Sequence, residues 1–286
     1  MATPSSWRAM PAIPAEQETA LVTRACTGDQ AAFLTLVDPW RRPLFAYIYR
    51  MVTHPQDAED LLQDVLVRVL ESLPQFRGEG KFKSWLFGIA THVCLDHLRA
   101  RKRWRAEAQL EGEKAAHANP ERLEEIGGIL GAPDFRFEIR EHIAACFCCL
   151  GRTLPPEEQA ALMLKEVVGF TSEEAAGIVG ASEPVFRHRL SSARATMARQ
   201  YEGLCQLINK DGACWQCRGL REFTPEGNRG EDFVAIQVAP GVAVTPESLL
   251  DARLEIVRTA DIENGRTRPL HDNFFTGLTQ QEEHNR

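Results

Sequence analysis

Residues 154–197 read L-P-P-E-E-Q-A-A-L-M-L-K-E-V-V-G-F-T-S-E-E-A-A-G-I-V-G-A-S-E-P-V-F-R-H-R-L-S-S-A-R-A-T-M, and their punctuation decides the fold of the second half of the chain. Thr171 and Glu174 stand at capping-box spacing, where the hydroxyl accepts from the N3 amide and the carboxylate reaches back to the cap amide. Gly180 suits a helix end, because glycine enters the left-handed region without a Cβ penalty. Ser182 then serves as the next N-cap, with Pro184 tolerated in the first turn. Three helices in tight succession follow, a helix-turn-helix. On the last, Phe186, Leu190, Ala193 and Met197 fall at i, i+4, i+7 and i+11 as one apolar stripe. That stripe turns Arg187, His188, Ser191, Arg194 and Arg199 outward or onto the flanks, the arrangement of a helix that lies in a major groove.

Working outward, residues 19–105 show helical periodicity throughout, with turns at Thr27-Gly28-Asp29, Thr53-His54-Pro55 and Arg77-Gly78-Glu79-Gly80 and no strand alternation. Residues 1–18 carry Pro, Ser and Ala without a period and are expected to be a disordered lead. Residues 106–134 are rich in Ala, Glu and Gly, with Pro120, Gly127, Gly128, Gly131 and Pro133, and are expected to be a linker. A second helical domain occupies residues 135–202, and residues 203–286 form an extension. Within the extension, Thr245 as N-cap, Pro246 at the first helical position and Leu250, Leu254 and Val257 on one face predict a helix. Leu270, Phe274 and Leu278 predict a second amphipathic one. The expected class is all-α, two helical domains joined by a linker and followed by a partly helical extension.

The chain has 286 residues, 44% of them apolar, and no apolar run approaches the roughly 18–20 residues of a membrane span. The first residues lack the apolar core of a signal peptide, so the cytoplasm is the expected compartment and membrane insertion is not expected. A net charge of −7 is unusual for a nucleic-acid binder. Its distribution matters more, because Arg99, Arg101, Lys102, Arg103 and Arg105 cluster while acidic stretches lie elsewhere. Such a chain is expected to touch DNA as part of a larger assembly.

In the front domain Leu62, Val65, Leu66, Val69 and Leu73 make one helical face, with Asp57, Asp60, Asp64 and Glu71 opposite. That acidic side reads either as a solvated surface or as a docking surface for a basic partner. Downstream, Phe76, Phe82, Trp85 and Phe87 alternate with Arg77, Lys81 and Lys83, a mixture that can stack unpaired bases and track phosphates. Phe82, Leu86, Ile89 and Val93 share a face and read as core, Trp85 reads as core more readily than as a platform, and residues 74–81 are the better candidate for base contact.

At these residues the chain resembles a known family. D-A-E-D-L-L-Q-D-V at 57–65, F-K-S-W-L-F-G-I-A at 82–90, D-H-L-R at 96–99 and the helix-turn-helix look like bacterial sigma factors of the extracytoplasmic-function group, over roughly residues 19–202. The resemblance implies that the front domain is the family's region two and the second its region four. It further implies that Asp57, Glu59, Asp60, Gln63 and Asp64 grip the coiled coil of the largest subunit of RNA polymerase. Residues 74–81 and the helix from Ser84 would capture the non-template strand of the minus-ten element. Arg77, Lys81, Lys83 and the basic run Arg99, Arg101, Lys102 and Arg103 would hold DNA nearby. Residues 183–199 would read the minus-thirty-five element, with Arg187, Arg189 and Arg194 on phosphates or guanine edges and His188 and Ser191 toward the groove. Promoter DNA and core polymerase are the implied partners, with an anti-sigma factor as a further kind. His92 stands where the family usually has Asn, and His188 where a small polar residue is common, so promoter preference does not carry over. No catalytic constellation is present, and the bond-forming chemistry would belong to the polymerase.

The eight cysteines, at 26, 94, 146, 148, 149, 205, 214 and 217, do not resemble a secreted disulfide framework. Cys214-Trp-Gln-Cys217 is a C-x-x-C in a turn-rich segment, and Cys146 and Cys149 supply another on a predicted helix. The four could complete a tetrahedral site for zinc or another thiol-bound metal, with Cys205, Cys148 or His142 able to replace any member. Cys146, Cys148 and Cys149 read more readily as small apolar fillers of a helix than as ligands, and Cys26 and Cys94 as core. DNA binding itself calls for no cofactor. Two other functions compete. A stand-alone helix-turn-helix regulator leaves the acidic helix and aromatic loop without purpose. A thiol oxidoreductase at Cys214 and Cys217 leaves the helix-turn-helix unexplained. The extension is expected to dock on the two domains and bias them between closed and polymerase-competent arrangements.

Overall fold

The computed structural model describes residues 13–76, 81–101, 104–230 and 238–284. Of the expected lead at 1–18, residues 1–12 lie outside them, while residues 13–18 are described and α1 already starts within that stretch. Four helices build the front domain: α1 (Ala15–Cys26), α2 (Gln30–Val52), α3 (Pro55–Ser72) and α4 (Phe82–Ala100). Local chemistry sets their ends. The Asp29 carboxylate accepts from the Ala32 amide at 3.0 Å to start α2. Thr53 closes α2 in the left-handed region at φ 55°, and the His54 ring then accepts from the Asp57 amide at 3.3 Å, with Pro55 in the first turn of α3.

The expected linker is not a plain connector. It contains α5 (Ala108–Ala118) and α6 (Pro120–Gly131). Pro120 begins α6, because the Asn119 side chain caps it by accepting from the Arg122 amide at 3.2 Å and the missing proline N–H is one the first turn does not need.

The second domain comprises α7 (Ile139–Gly151), α8 (Pro156–Leu162) running into a π-helical turn (Met163–Val168), α9 (Ser172–Ile178) and α10 (Glu183–Leu204). The Thr171–Glu174 capping box forms in both directions. Gly180 ends the α9 region at φ +63°, and Ser182 occupies the N-cap of α10 without a side-chain bond. Phe186, Ala193 and Met197 are buried and Leu190 half-buried, as the stripe requires.

Three helices follow in the extension: α11 (Gln216–Phe223), α12 (Pro246–Thr259) and α13 (Arg268–His284). Thr245 and Ser248 cap α12 reciprocally, while Leu250, Leu254 and Val257 are buried. On α13, Leu270 and Leu278 are buried together with Phe275, and Phe274 is half-buried. Among the described residues the only β pairings are two isolated bridges, Phe137 with Arg229 and Cys205 with Cys214. No described helix is long and apolar enough to cross a membrane.

One apolar core runs from α1–α4 through α7–α10 into α12 and α13. The front domain therefore packs directly on the helix-turn-helix. Phe87 of α4 meets Phe170 edge-on with ring centroids 5.4 Å apart, and the Gln159 side chain donates to the Met51 carbonyl at 2.9 Å. The extension is tied down by polar contacts. Arg50 and Glu263 form a buried ion pair, Arg50 Nη2 donates to the Ala260 carbonyl at 2.8 Å, and the Tyr49 hydroxyl donates to Asp272 at 2.6 Å. Cys94 is core as expected, whereas Cys26 is exposed, its thiol 3.4 Å from the Leu73 carbonyl at the domain surface.

Candidate functional site

The outer side of α3 presents Glu59, Asp60, Gln63 and Asp64 to solvent. Farther along it Val67 and Leu70 are each 54% exposed. Helical spacing places acids and aliphatics on one strip, since Leu61, Val65 and Val69 occupy the buried side. An exposed apolar patch bordered by charged side chains is how interfaces are composed, with an apolar core inside a polar rim. Asp57 stands apart from this strip. It is half-buried, 3.2 Å from Arg101 and 3.5 Å from both His54 and His97. Burial works to raise its carboxyl, and His97, Arg101 and His54 together outweigh that, holding it below the usual range. Asp57 and Arg101, expected on two different interfaces, thus neutralise each other inside the front domain.

Among the basic candidates, Arg77, Lys102 and Arg103 lie outside the described residues. Lys81 is exposed and bridges to Glu174 of α9 at 2.9 Å. That bond raises Lys81, and the Thr171 amide followed by Lys81 lowers Glu174. Lys83 is half-buried with its ammonium 4.4 Å from the Phe170 ring centroid and is pushed down by burial. Arg99 bridges to Glu157 of α8 at 2.9 Å and to Asp96 at 3.3 Å. Phe76, Phe82 and Trp85 pack on one another with ring centroids 5.0 to 5.7 Å apart, so Trp85 is half-buried in an aromatic cluster.

On α10, Arg187, His188 and Ser191 are exposed, Arg187 also reaching Glu183 at 2.5 Å, and Arg189 is half-buried. Arg194 is held in a carboxylate fork, 2.8 Å from Glu166 and 2.6 Å from Asp251 of α12. Arg258 of α12 reaches the same Glu166 at 3.0 Å. Burial opposes the charge on Arg194, and Asp251 with Glu166 more than restores it, raising its pKa. The acidic partners Glu157, Glu166, Glu174 and Asp251 were not anticipated from the sequence. The adjacent glutamates in the helix-turn-helix were its visible trace.

The cysteines do not assemble as the two C-x-x-C pairs suggest. Cys146, Cys205, Cys214 and Cys217 line one small cavity. Cys149 does not line that cavity but a second one, of about 480 Å³, which it shares with Cys146, His142, His271 and Phe275. Among the described residues no three His, Cys, Asp or Glu side chains stand at metal-holding spacing, and all eight cysteines are unpaired.

Comparison with known proteins fits this geometry. The Sigma-70 region 2 family matches residues 36–104 and the Sigma-70 region 4 family residues 150–197. The extracytoplasmic-function (ECF) RNA polymerase sigma factor SigG of Mycobacterium tuberculosis is 31% identical over 175 residues, 58% of this chain and 47% of the relative. The chain thus spans about half of that relative's length. ECF sigma factor SigE of Mycolicibacterium smegmatis is 31% identical over 186 residues, 63% of this chain and 67% of the relative. The RNA polymerase sigma-H factor of Pseudomonas aeruginosa is 29% identical over 190 residues, 66% of this chain and 96% of the relative.

Proposed function

Because the chain belongs to the ECF RNA polymerase sigma factors, we propose that it directs core RNA polymerase to specific promoters and assists strand opening there. It does so by binding energy, while turnover belongs to the polymerase. One observation carries the reading: a single chain joins an exposed acidic and aliphatic strip on α3 to a capped helix-turn-helix whose α10 leaves Arg187, His188 and Ser191 exposed. A duplex-only regulator has no use for the first, and a thiol oxidoreductase none for the second. Recognition requires no cofactor, since its contacts run from side chains to phosphates and base edges. Reconstituted transcription with core polymerase on a genomic promoter library tests this. Transcripts should start at a defined promoter class only when the chain is added, and failure to associate with core polymerase overturns the reading.

The same reading includes a conformational step. The minus-ten and minus-thirty-five elements lie about 25 base pairs apart, or about 85 Å at about 3.4 Å per pair. Here α4 packs against α8 and α9, with Lys81–Glu174 and Arg99–Glu157 bridging the contact, so the two modules must separate to hold both elements. The extension favours the closed arrangement, since it bonds to both modules: Asp251 of α12 holds Arg194 of α10 at 2.6 Å, while Glu263 and Asp272 hold Arg50 and Tyr49 of α2. Polymerase supplies the differential binding that shifts the population.

A further inference from the structure

The cavity lined by Cys146, Cys205, Cys214 and Cys217 lies where the helix-turn-helix domain meets the extension. Cys146 comes from α7, Cys205 caps the end of α10, and Cys214 and Cys217 bracket the start of α11. The backbone holds two of them side by side. The Cys214 amide donates to the Leu204 carbonyl at 2.7 Å and the Gln206 amide to the Cys214 carbonyl at 3.3 Å, while Cys217 follows Cys214 at the C-x-x-C spacing.

The second observation is a charge without a counter-ion. Arg253 of α12 is fully buried, its guanidinium stacked 3.8 Å above the Tyr201 ring. Its Nη2 donates to Cys205 Sγ at 3.0 Å, while Nε and Nη1 have no hydrogen-bond partner and no described carboxylate pairs with it. A guanidinium does not shed its proton in a protein, and an uncompensated buried charge costs several kcal/mol. Among the described residues the nearest groups able to carry negative charge are these thiols and the tyrosine. One thiolate at Cys205 would balance the charge but would leave three more thiols gathered at the cavity without a reason. A second buried donor points the same way, for Gln109 Nε2 lies 3.5 Å from Cys146 Sγ. Two of the four sulfurs therefore already receive N–H donors, as metal-bound thiolates do from their outer shell.

We propose that Cys146, Cys205, Cys214 and Cys217 form a tetrathiolate site for a soft divalent cation of the zinc class, with Arg253 as buried counter-ion and Gln109 as a second outer donor. Four thiols binding one divalent cation release four protons and leave a centre of net charge −2, half of which Arg253 offsets. The sulfurs do not stand at ligand spacing as they are, so binding draws them inward around the cavity. The set takes one of the exchanges the sequence left open, Cys205 in place of Cys149. It would fasten α7, the end of α10 and α11 to one another, and α12 to all three through Arg253.

Cobalt(II) titration of the reduced, chelator-treated full-length chain tests this, followed by zinc displacement. One cobalt per chain is expected, with thiolate-to-cobalt charge-transfer absorption and tetrahedral d–d bands. C205S and C214S should each lose charge-transfer intensity and bind about 100-fold or more weakly. C149A and C26S should match the parent. R253M should keep the spectrum and weaken binding about 10–100-fold, the range for outer-shell partners, with circular dichroism confirming that each variant is folded. The proposal fails if the folded, reduced chain gives no stoichiometric thiolate–cobalt band. It fails equally if C149A abolishes the band while C205S leaves it, or if intact mass shows that a disulfide among the four is the stable state.

Discussion

Two charged surfaces of this molecule have opposite fates. On α3 the acids Glu59, Asp60 and Asp64 stand in solvent beside Val67 and Leu70, and none of the three pairs with a described residue. At the start of α4, along it and on α10, several of the cations proposed to meet DNA are already engaged: Lys81 by Glu174, Arg99 by Glu157, Arg194 by Glu166 and Asp251. The surface proposed to meet polymerase is thus ready, while the one proposed to meet DNA is partly occupied by the chain's own carboxylates. A chain of net charge −7 is also repelled from DNA at long range. The difference implies an order of events in which polymerase binds first and DNA contacts are released afterwards.

The sharpest way to break this contrast is to reverse the ready surface. Asp60→Arg with Asp64→Arg should weaken association with core polymerase by about 100-fold or more, since like charges set against a basic partner cost several kcal/mol. Both side chains are exposed, so the melting temperature should stay close to the parent's. Undiminished co-sedimentation with core polymerase would remove α3 from the interface.

The next largest effect falls on the occupied surface. Leu254 is fully buried in the face that α12 turns to the core, so Leu254→Ala should cost about 2–5 kcal/mol of docking. The free chain should then bind a minus-thirty-five duplex about tenfold more tightly, with faster hydrogen exchange in α12 and α10. Faster exchange without a gain in duplex binding would mean that α12 does not restrain DNA reading.

Much of this was legible in the chain. The capping box at Thr171, the left-handed end at Gly180 and the stripe from Phe186 to Met197 are local signals, and local signals survive folding. The expected linker misread one of them. Pro120 is a helix breaker only in a helix interior, and after Asn119 it opens α6. The pairings of Asp57 with Arg101 and of Arg194 with Asp251 join residues 44 and 57 positions apart, and periodicity carries no information at that range. The sequence left Cys205 as one of several exchangeable cysteines for the same reason, since only the fold brings the end of α10 to the cavity that Cys146, Cys214 and Cys217 line.

Acid sharpens the contrast more gently. His142 and His271 are buried with ring centroids 5.5 Å apart where α7 meets α13. Burial pushes His142 down to about 4 and His271 well below its ordinary value. A histidine whose folded pKa is depressed stays neutral while the undocked chain, near about 6.5, takes up the proton. Docking is therefore complete above about pH 6.5 and weakens as pH falls from there toward 4, by about 1 kcal/mol in all between pH 7 and 6. Glu157 and Glu174 are held below the usual carboxylate range and keep their bridges across that window. Hydrogen exchange at pH 7 and 6 should show α13 loosening while the α4–α9 contact holds, and His271→Phe should flatten the slope. Equal loosening of both regions would contradict this assignment.

The smallest effect isolates one ion pair. Asp251 is 61% exposed and Arg194 24%, so solvent screens the pair and its removal is worth about 0–1 kcal/mol. Asp251→Ala should raise the free chain's affinity for a minus-thirty-five duplex about two- to fivefold. Glu166 still holds Arg194 at 2.8 Å, which is why the gain stays modest. The decisive comparison is with core polymerase present. If polymerase opens the molecule first, Arg194 has already left Asp251 and the variant should match the parent at the promoter. A gain of equal size with and without polymerase would show that Asp251 acts by simple repulsion of DNA rather than by holding the closed arrangement.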